Sequence, residues 1–126
     1  MQLVRQLLSF GTVGMLATVV HVSLAYALMI QTETNPYLAN LAGFLAAFGI
    51  SFIGNARLTF RYDGSLGGPA VRFLAISFAS LALTSMITAL VEANGLPRWT
   101  YVGMTLAVVP PITFLLSKFW VFASRD

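Results

Sequence analysis

Charged residues divide this sequence into four long uncharged stretches. These stretches occupy positions 6–32, 34–56, 73–91 and 99–117. A helix needs about 20 largely apolar residues to cross roughly 30 Å of hydrocarbon. The pattern therefore predicts an all-α membrane protein with four transmembrane helices, at about residues 7–30, 36–56, 73–91 and 99–117.

The basic residues between these stretches predict the orientation. If successive spans alternate in direction, only Arg98 falls on one side and six basic residues fall on the other, namely Arg5, Arg57, Arg61, Arg72, Lys118 and Arg125. Short cytoplasmic loops carry the excess of Lys and Arg, so both termini and the loop between the second and third spans are expected in the cytoplasm. That loop contains Gly64, Gly67, Gly68 and Pro69, and we expect it to be flexible and to separate two helical hairpins.

The ends of the second and fourth spans are similar in sequence. When Phe52 is aligned with Phe114, the same offset also aligns Asn55 with Ser117 and Phe60 with Phe122. The starts of the first and third spans, 5–10 and 72–78, are also similar. We interpret the chain as a parallel repeat of two hairpins, with chance similarity of two apolar hairpins as the alternative.

Two adjacent prolines, Pro110 and Pro111, lie near the middle of the fourth span. A proline inside a helix lacks an N–H group and clashes with the carbonyl four residues earlier, so we predict a helix break here. The offset of the repeat aligns Pro111 with Gly49. Interrupted spans at matching places in two repeats are typical of a transporter's binding site, and a packing kink is the alternative interpretation.

Polar residues within the spans suggest a second feature. Stripes of small and hydroxyl residues are explained by close helix packing alone. His21 and Asn40 are different, because polar groups inside a membrane usually face a protein interior or a cavity. A structural hydrogen bond within a helix pair explains them equally well. No Asp or Glu lies within a span, so proton coupling through a membrane carboxylate has no support.

The basic residues of the predicted cytoplasmic side have two interpretations. They are topology anchors in the first. In the second they form an anion site at headgroup depth, because arginine binds phosphate oxygens with two parallel hydrogen bonds and lysine adds a compact charge. Arg57 and Lys118, one in each repeat, are the best-placed pair. Arg61, Arg5 and Arg72 are further candidates.

Composition excludes several functions. Hydrophobic residues make up 58% of the chain and charged residues 9%, against roughly 25% charged in an average globular protein. The chain has no cysteine, one histidine and no P-loop sequence, so we expect no metal site, no cofactor and no nucleotide-driven transport. The basic residues are not clustered on a soluble face, which argues against nucleic-acid binding. No acid–base pair lies within plausible reach, so we do not expect an enzyme.

Three segments resemble the GtrA-like family. They are Leu-Ala-Asn-Leu-Ala-Gly-Phe (38–44), Ser51-Phe52 leading to Asn55, and Leu-Ser-Lys-Phe-Trp-Val-Phe (116–122). The resemblance covers nearly the whole chain as a single transmembrane domain. Where that family commonly has two basic residues followed by Trp, this chain has Ala56, Arg57 and Leu58.

The resemblance implies a multi-pass protein of the bacterial inner membrane that flips polyprenyl-phosphate-linked sugar to the outer leaflet for glycosylation of cell-surface polysaccharide. The headgroup would pass along a polar lane of His21, Asn40, Asn55, Ser117 and Trp120 after capture by the basic residues. Membrane lipid and membrane glycosyltransferases are the implied partners. Four helices barely enclose a sugar, so we also expect a homodimer or a higher oligomer. The alternatives are a non-transporting adaptor for a glycosyltransferase and a small multidrug exporter, which the lack of a carboxylate in the first span disfavours.

Overall fold

A computed structural model describes residues 1–123, which are helical wherever they form regular secondary structure. Four helices are long and apolar enough to cross a membrane: α1 (Gln2–Gln31), α2 (Pro36–Gly54), α3 (Gly67–Ala93) and α4 (Arg98–Leu116). Helices α2 and α4 continue directly into short π-helical segments, Asn55–Thr59 and Ser117–Val121. The predicted all-α architecture with four spans is confirmed. The two π segments are additional features that the sequence analysis did not predict.

The chain divides into two compact units, Met1–Asp63 and Gly64–Asp126, and the second is described as far as residue 123. Hairpin 1 consists of α1, α2 and the first π segment. Hairpin 2 consists of α3, α4 and the second π segment. The π segments begin at Asn55 and Ser117, which are the two residues that the sequence repeat aligns. A structural feature therefore recurs at the offset of the repeat, in agreement with the interpretation of the chain as two similar hairpins.

The connections within the hairpins follow from their turn residues. In hairpin 1, the side-chain oxygen of Asn35 accepts a hydrogen bond of 2.8 Å from the Tyr37 N–H, and Pro36 occupies the first position of α2. A capping side chain followed by proline is a strong signal for the start of a helix. In hairpin 2, Gly95 follows α3 with a φ of 61°, a left-handed conformation that glycine adopts without steric cost.

Small residues bring α1 and α2 close together in hairpin 1. A Cβ atom added to Gly43 would lie 2.6 Å from His21 Cδ2 and 2.7 Å from the His21 carbonyl oxygen. A Cβ atom added to Gly54 would lie 2.8 Å from Val13 Cγ1. Ala17, Ala25 and Ala39 are also buried. Close approach over small residues is a common way for membrane helices to associate, because it increases van der Waals contact.

Larger side chains are buried in hairpin 2. Five of them are Phe73, Ile76, Ile87, Val91 and Phe114. A Cβ atom added to Gly103 of α4 would meet nothing within 4 Å, so this glycine does not mark a close helix contact as Gly43 does. Hairpin 1 also buries Val13 and Phe52, so the two hairpins share their element order and differ in how far small residues contribute to the helix contact.

Two local expectations differ from the structure. Helix α4 continues through Pro110 and Pro111 to Leu116, so the predicted helix break does not occur. The carbonyls of Leu106 and Ala107, four residues before the prolines, lose their usual donors, and membrane helices accommodate such a loss through small backbone adjustments. Thr113 Oγ1 lies 3.0 Å from the carbonyls of both Val109 and Pro110 and shares its one proton between them. Gly67, Gly68 and Pro69, which we expected in a flexible loop, form the first turn of α3, where proline has no intrahelical hydrogen bond to lose.

Candidate functional site

The π segments form one end of each hairpin. In the first segment the Phe60 N–H donates to the Asn55 carbonyl, and in the second the Phe122 N–H donates to the Ser117 carbonyl, both at 2.9 Å. Each bond reaches one residue further back than in an α-helix, which widens the last turn. Single π turns of this kind are rare and are frequent at functional sites. Each segment carries one basic residue, Arg57 in the first and Lys118 in the second.

An arginine from the neighbouring helix binds the backbone of each π segment. Arg5 Nη1 donates to the Leu58 carbonyl at 3.0 Å, and Arg5 Nη2 donates to the Thr59 carbonyl at 3.2 Å. In hairpin 2, Arg72 Nη1 donates to the Trp120 carbonyl at 3.1 Å. Cations are favourable at the carbonyl end of a helix because they balance its partial negative charge. Arg5 and Arg72 thus direct donors to the backbone of their own hairpins, a role that the sequence analysis did not assign to them.

A chain of polar side chains lies behind the first π segment. Thr59 Oγ1 donates to Asn55 Oδ1 at 2.9 Å. This uses the single hydroxyl proton of Thr59, so Ser9 Oγ is the donor in the 2.9 Å hydrogen bond between Ser9 and Thr59. Asn55 Nδ2 then donates to Ser51 Oγ at 3.3 Å. Asn55 is 1% exposed and Thr59 is fully buried, so this network joins the two helices of hairpin 1.

The matching positions of hairpin 2 lack this network. Val121 stands at the position that Thr59 occupies in hairpin 1, and Ile76 lies one helical turn after Arg72 as Ser9 lies after Arg5. Ser117, the counterpart of Asn55, is fully buried, and its Oγ has no hydrogen-bond partner within residues 1–123. Asn55 and Ser117 are therefore buried and present no side-chain surface to a passing headgroup, which disagrees with their predicted place in a polar lane.

The cations of the predicted anion site differ in exposure. Arg57 and Arg61 are exposed, and Lys118 is half-buried, as are Arg5 and Arg72. Arg57 Nη1 donates to the Tyr62 carbonyl, and the Lys118 ammonium lies 5.5 Å from the ring centroid of Phe119. Arg61 has a φ of 52°, a left-handed conformation that is unfavourable for a residue with a Cβ atom.

The conformation of Arg61 ends the first π segment. The Tyr62 N–H donates to the Ala56 carbonyl at 2.7 Å. This hydrogen bond closes a turn directly after the segment and keeps Arg57 and Arg61 at the same end of hairpin 1. Lys118 belongs to hairpin 2. Its predicted pairing with Arg57 stays a prediction, because each hairpin is described by itself.

The two polar residues singled out within the spans contact each other, as in the alternative interpretation of a structural hydrogen bond within a helix pair. His21 Nε2 lies 3.2 Å from Asn40 Oδ1. A carbonyl oxygen only accepts, so Nε2 is the donor in this arrangement. His21 is half-buried and Asn40 is exposed. Trp120, the last residue of the predicted lane, is 47% exposed. These three side chains, unlike Asn55 and Ser117, are accessible to a ligand.

Sequence reasoning missed the π segments and the arginine contacts with them. The available signals were the alignments of Asn55 with Ser117 and of Phe60 with Phe122, and the similarity of 5–10 to 72–78, which matches Arg5 with Arg72. Both phenylalanines directly follow a π segment and have ring partners in their own hairpin, Phe10 at 6.4 Å and Phe73 at 6.0 Å between ring centroids. These alignments showed that the two ends were alike, but not which backbone hydrogen bonds they formed.

These features define a class of protein: an integral membrane protein built from two similar helical hairpins, each ending in a π segment with a basic residue. Residues 9–122 match the family model described as "GtrA/DPMS, transmembrane domain". The chain belongs to this family, which confirms the resemblance seen in the sequence. Membership links this multi-pass membrane protein to polyprenyl-phosphate sugar processes. No curated protein and no solved structure matches the chain.

Proposed function

We propose that this protein moves polyprenyl-phosphate-linked sugar from the cytoplasmic to the outer leaflet of the bacterial inner membrane, where glycosyltransferases use it to modify cell-surface polysaccharide. The observation that carries the proposal is the repeated π segment, which presents an accessible cation at one end of each hairpin in a member of this family. Both termini are cytoplasmic in this proposal, as the distribution of basic residues predicts.

Capture of the lipid begins with its phosphate. Arg57 and Arg61 supply planar guanidinium groups that suit two phosphate oxygens, and Lys118 supplies a compact ammonium group. The three side chains follow or belong to π segments at the ends of apolar helices, which is the depth at which a headgroup lies. The isoprenoid tail stays in the hydrocarbon throughout, so only the phosphate and the sugar have to cross about 30 Å.

Passage across the hydrocarbon requires polar partners for the sugar. A hydroxyl group without a hydrogen bond is costly in a medium without water. The His21–Asn40 pair lies within the spans and is accessible, so its amide and imidazole groups supply hydrogen-bond partners to sugar hydroxyls on the way. Trp120 supplies an aromatic surface near the captured headgroup.

The driving force for transport and the oligomeric state of the transporter are proposed from the sequence and from the small size of the chain. The sequence has no nucleotide-binding motif, and the one carboxylate within a span, Glu92, lies in the last turn of α3. Net movement therefore follows the concentration gradient of the lipid-linked sugar and is sustained by its consumption outside. A single set of four helices barely surrounds a sugar, and we therefore propose that the transporting form is a homodimer or a higher oligomer.

Purified protein in proteoliposomes tests the proposal. A short-chain polyprenyl-phosphate hexose is added from outside, and impermeant periodate then reports the fraction of sugar that is still exposed. Wild-type protein should protect the sugar with time. Arg57→Gln and Lys118→Gln should each slow protection about tenfold, as expected for the loss of one charge-assisted hydrogen bond.

Arg98→Gln is the matched control, because it removes an exposed arginine from the opposite end of hairpin 2, and it should leave the rate unchanged. Equal rates for all variants would show that the proposed anion site is wrong. An absence of transfer by purified wild-type protein would overturn transport itself and favour the alternative of an adaptor that recruits a glycosyltransferase.

A further inference from the structure

We propose that Arg5 and Arg72 are positioning residues, which hold the π segments in the conformation that presents Arg57 and Lys118 and which do not themselves bind the phosphate. This inference rests on the proposed function, and it replaces the sequence-based assignment of Arg5 and Arg72 to the anion site. We refer to the contacts of Arg5 with Leu58 and Thr59, and of Arg72 with Trp120, as the two arginine clamps.

The first argument is that the clamp recurs at one backbone position. Arg5 binds the Leu58 carbonyl and Arg72 binds the Trp120 carbonyl, and each carbonyl belongs to the fourth residue of its π segment. The spacing between Arg5 and Arg72 along the chain is longer than the spacing between Leu58 and Trp120. The two arginines therefore do not follow the offset that relates the two π segments, and the clamp is nevertheless formed in both hairpins. If these were incidental contacts of flexible surface side chains, we would not expect both to involve the carbonyl of the fourth residue of a π segment.

The second argument is that the surroundings of the two clamps are unlike. Directly after the clamping arginine, hairpin 1 has the buried Gln6 and hairpin 2 has the buried Phe73. The polar network through Asn55 and Thr59 in hairpin 1 has no counterpart in hairpin 2, as far as residue 123. The guanidinium contact is thus the shared feature of two differently packed ends, which indicates that the contact itself is needed to hold the π segment.

The third argument concerns the position of the binding cations relative to the clamp. Arg57 immediately precedes Leu58, whose carbonyl is clamped, and only Phe119 separates Lys118 from Trp120. The last carbonyls of a helix lack intrahelical partners, so a segment without its clamp is free to return to α-helical hydrogen bonding. Such a change rotates the backbone at Arg57 and Lys118 and moves their long side chains.

The clamps also differ from each other in a way that can be tested. Arg5 uses two nitrogen atoms on two consecutive carbonyls, whereas Arg72 uses one nitrogen on one carbonyl. A guanidinium group has a fixed fork of donors, and an ammonium group is a point donor. Lysine should therefore replace Arg72 with little loss and should replace Arg5 poorly, although both substitutions keep the positive charge.

Hydrogen exchange of two amides reports on the clamps without any ligand. The probes are the N–H groups of Phe60 and Phe122, which close the two π segments. Arg72→Gln should speed exchange at Phe122 about tenfold and leave Phe60 unchanged, as expected for losing one charge-assisted hydrogen bond. Arg5→Gln should leave Phe122 unchanged and speed exchange at Phe60 by at least as much, because it loses two such bonds. Each variant therefore contains its own control. Unchanged exchange at the matching amide would overturn the proposal.

Binding of a polyprenyl phosphate to the protein in nanodiscs tests the link to function. Arg5→Gln should weaken binding about fivefold in the wild-type background and should have no further effect in Arg57→Gln protein, because it acts through Arg57. Arg5→Lys should weaken binding nearly as much, and Arg72→Lys should not. Independent losses that multiply in the double variant, or full rescue by Arg5→Lys, would show instead that Arg5 acts as a charge at the phosphate.

Two further outcomes are also decisive. If Arg5→Gln does not fold, Arg5→Lys and Arg72→Gln provide the same exchange and binding comparisons. If wild-type protein does not bind the polyprenyl phosphate, the proposed function fails, and so does the proposed effect of the clamps on binding. Exchange at Phe60 and Phe122 still decides, in that case, whether the arginines hold the π segments.

Discussion

The two hairpins have the same element order and the same arginine clamp, but different interiors. Hairpin 1 joins its helices through glycine contacts at Gly43 and Gly54 and through the hydrogen bond between Ser9 and Thr59, which Asn55 supports from its own helix. Hairpin 2 buries large apolar side chains, and its Ser117 hydroxyl has no partner in the described part of the chain. The comparison teaches that the repeated backbone of the π end does not depend on one particular set of buried side chains.

The two hairpins thus repeat the backbone geometry of the π end, but they differ in the side-chain contacts that stabilise it. Where polar groups are buried without water, a connected hydrogen-bond network orients helices strongly, whereas an unpartnered hydroxyl gives no orientation and carries a cost. Hairpin 1 therefore has more specific side-chain contacts near its π segment than hairpin 2. The following substitutions test this difference, from the largest expected effect to the smallest.

The largest effect is expected from Gly43→Ala in hairpin 1. The new methyl group would lie 2.6 Å from a carbon atom of the His21 ring and 2.7 Å from the His21 carbonyl oxygen. Because the helix backbone is rigid, the helices must separate, and we expect a loss of about 3 kcal/mol in the free energy of unfolding. Unfolding in bicelles measures it. Gly103→Ala in hairpin 2 is the control and should change stability by less than about 0.5 kcal/mol; similar losses for both variants would contradict the comparison.

A smaller effect is expected from Asn55→Ala. The substitution leaves the buried Thr59 hydroxyl without its acceptor and Ser51 without its donor, at a cost of about 2 kcal/mol. The matched variant of hairpin 2 is Ser117→Ala, which removes a hydroxyl that has no partner among residues 1–123 and should be neutral or slightly stabilising. Thermal unfolding of both variants under one condition measures the difference. A loss of stability in Ser117→Ala as large as in Asn55→Ala would show that Ser117 has a polar partner of its own.

The smallest effect, and of opposite sign, is expected from Gly49→Ala. Gly49 lies in α2 between the two close glycine contacts, but a Cβ atom added there would meet nothing within 4 Å. Alanine restricts the unfolded backbone more than glycine does, so we expect a gain of about 0.5 kcal/mol. The same unfolding assay measures it. A loss of stability would show that Gly49 also lies in a close contact between α1 and α2, as Gly43 and Gly54 do.

The four spans could be predicted from sequence because the thickness of the hydrocarbon fixes how long an uncharged helix must be. His21 and Asn40 could be singled out because an intramembrane polar side chain needs a partner, although the sequence did not show that they contact each other. The repeat was visible in its aromatic residues. Each of these predictions depends on a single chemical requirement that the sequence displays directly.

The clamps and the buried positions could not be predicted in the same way. Arg5 and Leu58 are far apart along the chain, and composition alone makes Arg5 equivalent to any other arginine at a membrane surface. Asn55 and Ser117 each begin a π segment, which no residue type specifies, and their polarity gave no sign of their burial. At Pro110 and Pro111 the local rule predicted a break, but a helix in a membrane environment has few alternatives to continued helical hydrogen bonding.

Each helix-to-helix hydrogen bond described above joins residues of the same hairpin, from Arg5 with Leu58 to Arg72 with Trp120. Opening the peptide chain between Asp63 and Leu66 would break none of them. A gene that encoded one hairpin would therefore already encode a complete clamp and a complete π end. Duplication and fusion of such a gene would leave each copy free to exchange its buried residues, such as those at positions 55 and 117, while the backbone of the π end is preserved.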